Sequence, residues 1–277
     1  MTNTLLKCLV LVAAGAIAWQ SNRIQSGPSP ARAEVPVNRT PPKGGQFRGM
    51  AVQLHGGADV YDHYRDLIPE ISALGADTVL FVVHGWQTHG GSLDLHIDPR
   101  RTASPEALGK LCDLAAASGL RVILMPVALL EHPRNHEWRG KIIPEGQDWD
   151  GWFRRYTRFV VHFARIAEKH GVEVLIVGSE LIKTEVHTER WKKVIEEVRQ
   201  NYRGALAYSA NWDHYQPAKI GFWAQLDYVG MTSYYELAEK ANPDREEVDA
   251  NWRRIKKEIL AFYDEVKKPI IFTEVGW

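Results

Sequence analysis

Downstream of Gly45 the chain alternates short apolar runs, rich in Val, Ile, Leu and Tyr, with longer amphipathic stretches. That alternation is the mark of a parallel sheet whose strands are joined by crossover helices. The apolar runs fall at 48–54, 78–84, 121–127, 174–178, 205–209, 228–232 and 270–273. They are apolar nearly throughout rather than at every second residue, as strands must be when both faces are covered. Helical periodicity lies between them at 63–74, 105–118, 149–170, 188–202 and 246–267, with a weaker turn near 218–224. Ser104-Pro105-Glu106 supplies an N-cap, a first-turn proline and an early carboxylate, while Gly75, Gly119 and Gly171 end the helices before them.

Two architectures share this alternation. A doubly wound sheet carries a glycine-rich phosphate loop after its first strand, but the residues here are Gln53-Leu54-His55-Gly56-Gly57-Ala58, which do not fit that pattern. The expectation is therefore an α/β fold of the (β/α)8 TIM barrel type, which about 250 residues build as one domain. Seven strands are visible and the seventh ends just before Trp277, so residues 46–277 read as a barrel truncated at its C-terminus, with the eighth β/α unit missing.

Residues 26–45 are rich in Pro, Gly, Ser and Arg and read as a disordered linker, because they have too little apolar surface to offset the entropy of ordering. Residues 1–25 read as a signal peptide or N-terminal anchor. Lys7 precedes an apolar run from Cys8 to Trp19 that is short for a bilayer span, and Ala31-Arg32-Ala33 offers a cleavage site after residue 33. The expected location is secreted or periplasmic, with membrane anchoring through the N-terminus if cleavage does not occur.

The 34 Lys and Arg balance the 34 Asp and Glu, so the chain has no basic footprint for nucleic acid, and a neutral substrate fits best. Ten tryptophans supply large indole faces of the kind that stack on sugar rings. Cys8 lies in the N-terminal run, which leaves Cys112 as the one thiol of the barrel and no internal disulfide. His55, His84 and His89 lack metal-ligand spacing, and neither Ser179 nor Ser209 sits in a nucleophile elbow. No metal is expected from these residues.

Catalytic groups in such barrels occupy the C-terminal ends of strands. Glu180 follows Val174-Leu175-Ile176-Val177-Gly178-Ser179, and Glu274 follows Pro269-Ile270-Ile271-Phe272-Thr273, so each carboxylate emerges where a buried strand meets the barrel mouth. Strands four and seven face each other across the rim. Two carboxyls about 5–5.5 Å apart there are what double displacement at an anomeric carbon requires. The other rim candidates are His84 and Trp86 after strand two, Asn211 and Trp212 after strand five, and Tyr234 after strand six. They are assigned to hydrogen bonding and stacking, with Tyr234 donating to Glu274 and Asn211 binding sugar hydroxyls.

These motifs together give the chain a family likeness. Gly178-Ser179-Glu180-Leu181, Tyr208-Ser209-Ala210-Asn211-Trp212, Asp227-Tyr228-Val229-Gly230 with Tyr234-Tyr235, and Phe272-Thr273-Glu274-Val275-Gly276-Trp277 occur in order, after a stretch from Trp138-Arg139-Gly140-Lys141 to Trp152-Phe153. In this the chain resembles glycoside hydrolase family 113 over about residues 46–277. The resemblance implies a clan A barrel that retains anomeric configuration, with Glu180 as acid/base, Glu274 as nucleophile, and an oligo- or polysaccharide substrate joined by β-1,4-mannosidic or related bonds. It adds Trp138 and Trp277 to the candidates for sugar contact, and it implies neither a metal nor an organic cofactor. Ser179 stands where many clan A enzymes carry Asn, which favours a rival reading as a non-catalytic carbohydrate-binding barrel. Transglycosylation is the other alternative, because a sugar can intercept the same intermediate.

Overall fold

The computed structural model describes residues 45–239 and 242–276. The expected signal peptide or anchor, nearly all of the expected linker, and Trp277 lie outside the described residues. Among the described residues no helix is long and apolar enough to cross a membrane.

Seven strands are present among the described residues: β1 Gly49–Gln53, β2 Thr78–Gln87, β3 Arg121–Leu130, β4 Val174–Ser179, β5 Ala205–Ala210, β6 Tyr228–Ser233 and β7 Ile270–Val275. Each pairs in parallel with its sequence neighbour, in the order β1 to β7, and the sheet curls into a nearly closed TIM barrel. The expected strands all appear, but β2 and β3 each run three residues further, paired through Gly85 with Ala128, Trp86 with Leu129 and Gln87 with Leu130. This longer ribbon carries the wall of the barrel up beside the mouth.

The helices are α1 Val60–Tyr64, α2 Leu67–Ala73, α3 Pro105–Ala117, α4 Trp149–Lys169, α5 Ile182–Glu185, α6 Thr188–Arg199 and α7 Arg245–Val266. Ser104 Oγ caps α3 by accepting from the Ala107 N–H, and Asp148 and Asp244 do the same for α4 and α7. The single helix expected at 63–74 is instead two, α1 and α2, a correction that Pro69 explains. A proline ring collides with the carbonyl four residues earlier, here Arg65, so the helix restarts after the Arg65-Asp66 step, with Pro69 in the first turn of α2.

Period-two alternation sorts the strand residues into two layers. Leu80, Val82, Ile123, Met125, Val127, Val174, Ile176, Ala205, Ala207, Tyr228 and Ile271 pack together as the interior of the barrel. Their neighbours Val79, Phe81, Val83, Val122, Leu124, Leu175, Val177, Leu206 and Tyr208 pack outward against the helices. The inward parity, carried upward, passes through His84 and Trp86 on β2, Ser209 and Asn211 at β5, and Thr232 and Tyr234 at β6. The polar mouth is the continuation of the apolar interior.

One glycine fixes the floor beneath Glu180. A Cβ on Gly178 would stand 2.8 Å from ring atoms of both Trp191 and Tyr208 and 3.0 Å from Tyr156 Oη, none of which is at the end of a flexible side chain. Gly178→Ala is expected to destabilise the barrel by about 2–3 kcal/mol through overpacking, read as a lower urea midpoint at unchanged slope. An unchanged midpoint would show that this ring cluster can yield.

Candidate active site

The sheet has two register shifts, and they fall on the strands that end in the two glutamates. From Ile176 to Ser179 β4 advances three residues while β5 advances two, from Ala207 to Ser209. From Phe272 to Glu274 β7 advances two while β6 advances one, from Met231 to Thr232. An extra residue of this kind bends a strand and re-aims the side chain beyond it.

Strand β6 ties the two carboxyls into one site. Thr232 Oγ1 donates to Glu180 Oε1 at 2.9 Å, and Tyr234 Oη donates to Glu274 Oε2 at 2.7 Å. Thr232 and Tyr234 are two residues apart and so share the inward face. Glu180 is 7% exposed and Glu274 is half-buried. Arg139, in a 3₁₀ turn (Arg139–Lys141) of the connection between β3 and α4, donates from Nη2 to Glu180 Oε2 at 2.5 Å and from Nε to Ser179 O at 3.2 Å.

Burial pushes the Glu180 carboxyl above the ordinary carboxylate range. Arg139 and the Thr232 hydrogen bond oppose that rise, and the negative charge of Glu274 adds to it. The Tyr234 phenol is raised too, first by burial and then by its bond to Glu274, so it remains a donor. The arrangement can thus present one carboxyl biased toward its protonated form and a second held by a neutral donor.

The other candidates are placed as follows. His84 is 2% exposed, stacks on His55 at 5.2 Å, and has an Nδ1 without a hydrogen-bond partner among the described residues. Burial, then the charges of His55 and Arg139, lower it to about 4, so it is a neutral imidazole at ordinary pH. Trp86 is half-buried, donates from Nε1 to Thr102 Oγ1, and carries the Arg101 guanidinium 3.3 Å from its ring centre, which covers one of its faces. Asn211 donates to Asp213 Oδ1 at 2.5 Å, and Trp212 packs edge-on to Tyr235 at 5.6 Å between centroids. Trp138 is half-buried with its ring 6.0 Å from the Arg139 guanidinium. Trp277 lies outside the described residues. Among the described residues no cluster of His, Cys, Asp and Glu has the geometry to hold a metal ion.

Arg139 and Thr232 were not picked out as site residues by the sequence reading. Thr232 had a usable signal, the same inward parity as Tyr234. Arg139 had none beyond its place in a matched motif, since nothing local says that the connection folds back over β4.

Comparison with known proteins bears on the fold and the family. The sequence profile of Glycoside Hydrolase Family 113 matches residues 61–277. The GH113 β-mannanase AaManA from Alicyclobacillus acidocaldarius, solved in complex with ManMIm, superposes with a TM-score of 0.74 at 27% identity, over 84% of this chain and 72% of that one. A GH113 β-1,4-mannanase, also solved as a complex, gives 0.71 at 26%, over 83% and 72%. The endo-1,4-β-mannanase of Rhizomucor miehei, at 12% identity and a TM-score of 0.58 over 83% and 77%, shares the fold. No curated protein sequence matches this chain. The bulged strands, the paired carboxyls and the family profile over most of the barrel lead to one assignment: this chain belongs to glycoside hydrolase family 113 and is a glycosidase.

Proposed function

We propose that the chain hydrolyses β-1,4-mannan or a closely related β-mannoside by double displacement, with retention of anomeric configuration. The observation that carries this reading is the two carboxyls at the bulged ends of β4 and β7, each held by its own donor on β6, Thr232 for Glu180 and Tyr234 for Glu274, and unequal in environment. The mannan substrate rests on the likeness to GH113 mannanases.

In the first step Glu274 attacks the anomeric carbon as the bond to the leaving oxygen breaks and Glu180 gives that oxygen its proton. Tyr234 holds Oε2 of Glu274 and leaves Oε1 for the attack. As Glu180 loses its proton, the charge that develops on it is met by Arg139 and Thr232, already in place. In the second step Glu180 takes a proton from water, the water oxygen bonds to the anomeric carbon, and the ester to Glu274 breaks. Around the sugar, His84 Nδ1 is an acceptor for a hydroxyl, Asn211 a hydrogen-bonding partner, and Trp86, Trp212, Trp138 and Trp277 are stacking surfaces.

The test is the stereochemistry of the first product. Proton spectra taken within minutes of adding enzyme to a manno-oligosaccharide are expected to show the β-anomer at the new reducing end, before mutarotation. Initial appearance of the α-anomer would sink the double-displacement reading.

A further inference from the structure

Below the mouth lies a buried polar group that the double displacement does not use. Helix α5 ends in Glu185, which is 0% exposed. Its Oε1 accepts a 2.6 Å hydrogen bond from Tyr208 Oη, and Tyr208 Oη in turn accepts one of 3.0 Å from the backbone N–H of Leu181. Leu181 follows Glu180 directly, so this chain of bonds ends one peptide unit from the carboxyl assigned as acid and base.

That peptide unit needs holding. Glu180 stands at φ +52°, a left-handed conformation that side chains with a Cβ seldom adopt and that persists only where the surroundings fix it. Two bonds from β5 do so: the Glu180 N–H donates to Ser209 O at 2.8 Å, and the Leu181 N–H to Tyr208 Oη. The geometry points to Glu185 as a positioning residue for Glu180: by holding Tyr208 Oη against the Leu181 N–H it fixes the left-handed turn that aims the acid/base carboxyl. This rests on the function proposed above.

The electrostatics suit the role. Burial raises Glu185 to about 8 against the opposing Tyr208 bond, with Glu180 and Asp213 pushing it further up and Lys219 pulling it down. Below that pH it is a neutral acid, and the clamp sets no second fixed negative charge beside Glu180. Its other oxygen, Oε2, has no hydrogen-bond partner among the described residues and lies 3.5 Å from His214 Nε2, within reach of a proton carried there.

The test uses two substrates and three variants. Mannan needs its leaving oxygen protonated, whereas a 2,4-dinitrophenyl β-mannobioside expels a phenolate without help, so a fault in aiming the acid shows on mannan alone. Tyr208→Phe and Glu185→Ala cut the link, while Glu185→Gln keeps an acceptor oxygen for Tyr208. Both cut variants are expected to lose about 30-fold or more in kcat/KM on mannan and less than about 3-fold on the aryl glycoside, with Glu185→Gln within about 3-fold of wild type on both. If Tyr208→Phe does not fold, as judged by circular dichroism, the same ratio compared between Glu185→Ala and Glu185→Gln decides. Equal losses on both substrates, no loss on mannan, or no recovery in Glu185→Gln overturns the positioning role and leaves the proposed function standing. Failure of the wild type on both substrates overturns that function, and this inference with it.

Discussion

Glu274→Ala is expected to lower hydrolysis of β-1,4-mannan by about 10⁴-fold or more, which is about 5–6 kcal/mol of transition-state stabilisation. The half-buried carboxylate makes one side-chain hydrogen bond among the described residues, to Tyr234, which is itself 47% exposed, so its loss should not unfold the barrel. The alanine leaves a space on the face of the sugar opposite the leaving group, and Glu180 still supplies the proton. Azide entering that space should restore turnover of an activated aryl glycoside and yield an α-glycosyl azide, inverted relative to the substrate. A β-azide from this variant, or an adduct only from the Glu180 variant, would exchange the two roles. Wild-type activity in Glu274→Ala would remove the mechanism altogether.

The barrel was legible in the sequence because β2 to β6 are covered on both faces and so are written as nearly unbroken apolar runs, while β1 and β7, exposed along much of their length, are still rich enough in apolar residues to be recognised. Where that rule stops holding, the reading stopped too. Gly85 to Gln87 carry β2 past its apolar run, where pairing with β3 keeps the backbone extended, whereas Ala128 to Leu130 are themselves apolar and continue the β3 run beyond its expected end. The division of α1 from α2 was written in the sequence, in Pro69, but amphipathic periodicity across it masked the break. At the mouth, Glu180 and Glu274 were found because a charged residue ending an apolar run is conspicuous. The bulges that aim them leave no such trace, since one extra residue in a strand is invisible until its partner strand is known.

The same limit explains the groups that were missed. Glu185, in Ile182-Lys183-Thr184-Glu185, has the composition of an exposed helical turn, yet it is wholly buried because α5 folds beneath the rim against Tyr208. Tyr208 has outward parity and reads as core, and its ring does pack edge-on with Trp191 and Phe222. Only its hydroxyl belongs to the site. Contacts of this kind are made by closure of the barrel, which sequence periodicity does not encode.

Glu180→Ala is expected to act on the two halves of the reaction differently, and this separates it from Glu274→Ala. With no acid to protonate the leaving sugar, kcat/KM on mannan should fall by about 10²–10⁴-fold, while on a dinitrophenyl glycoside it should change little. Glu274 still forms the glycosyl-enzyme, but no base activates water, so the intermediate persists and azide should capture it as a β-glycosyl azide of retained configuration. The pH dependence carries the same assignment. Glu180 acts in its protonated form, so wild-type kcat/KM must decline as pH rises through its titration, which burial and the charge of Glu274 place above the ordinary carboxylate range. In Glu180→Ala that group is gone, and the alkaline decline should vanish. A decline that survives the substitution would trace to another group, and the acid/base role would have to leave Glu180.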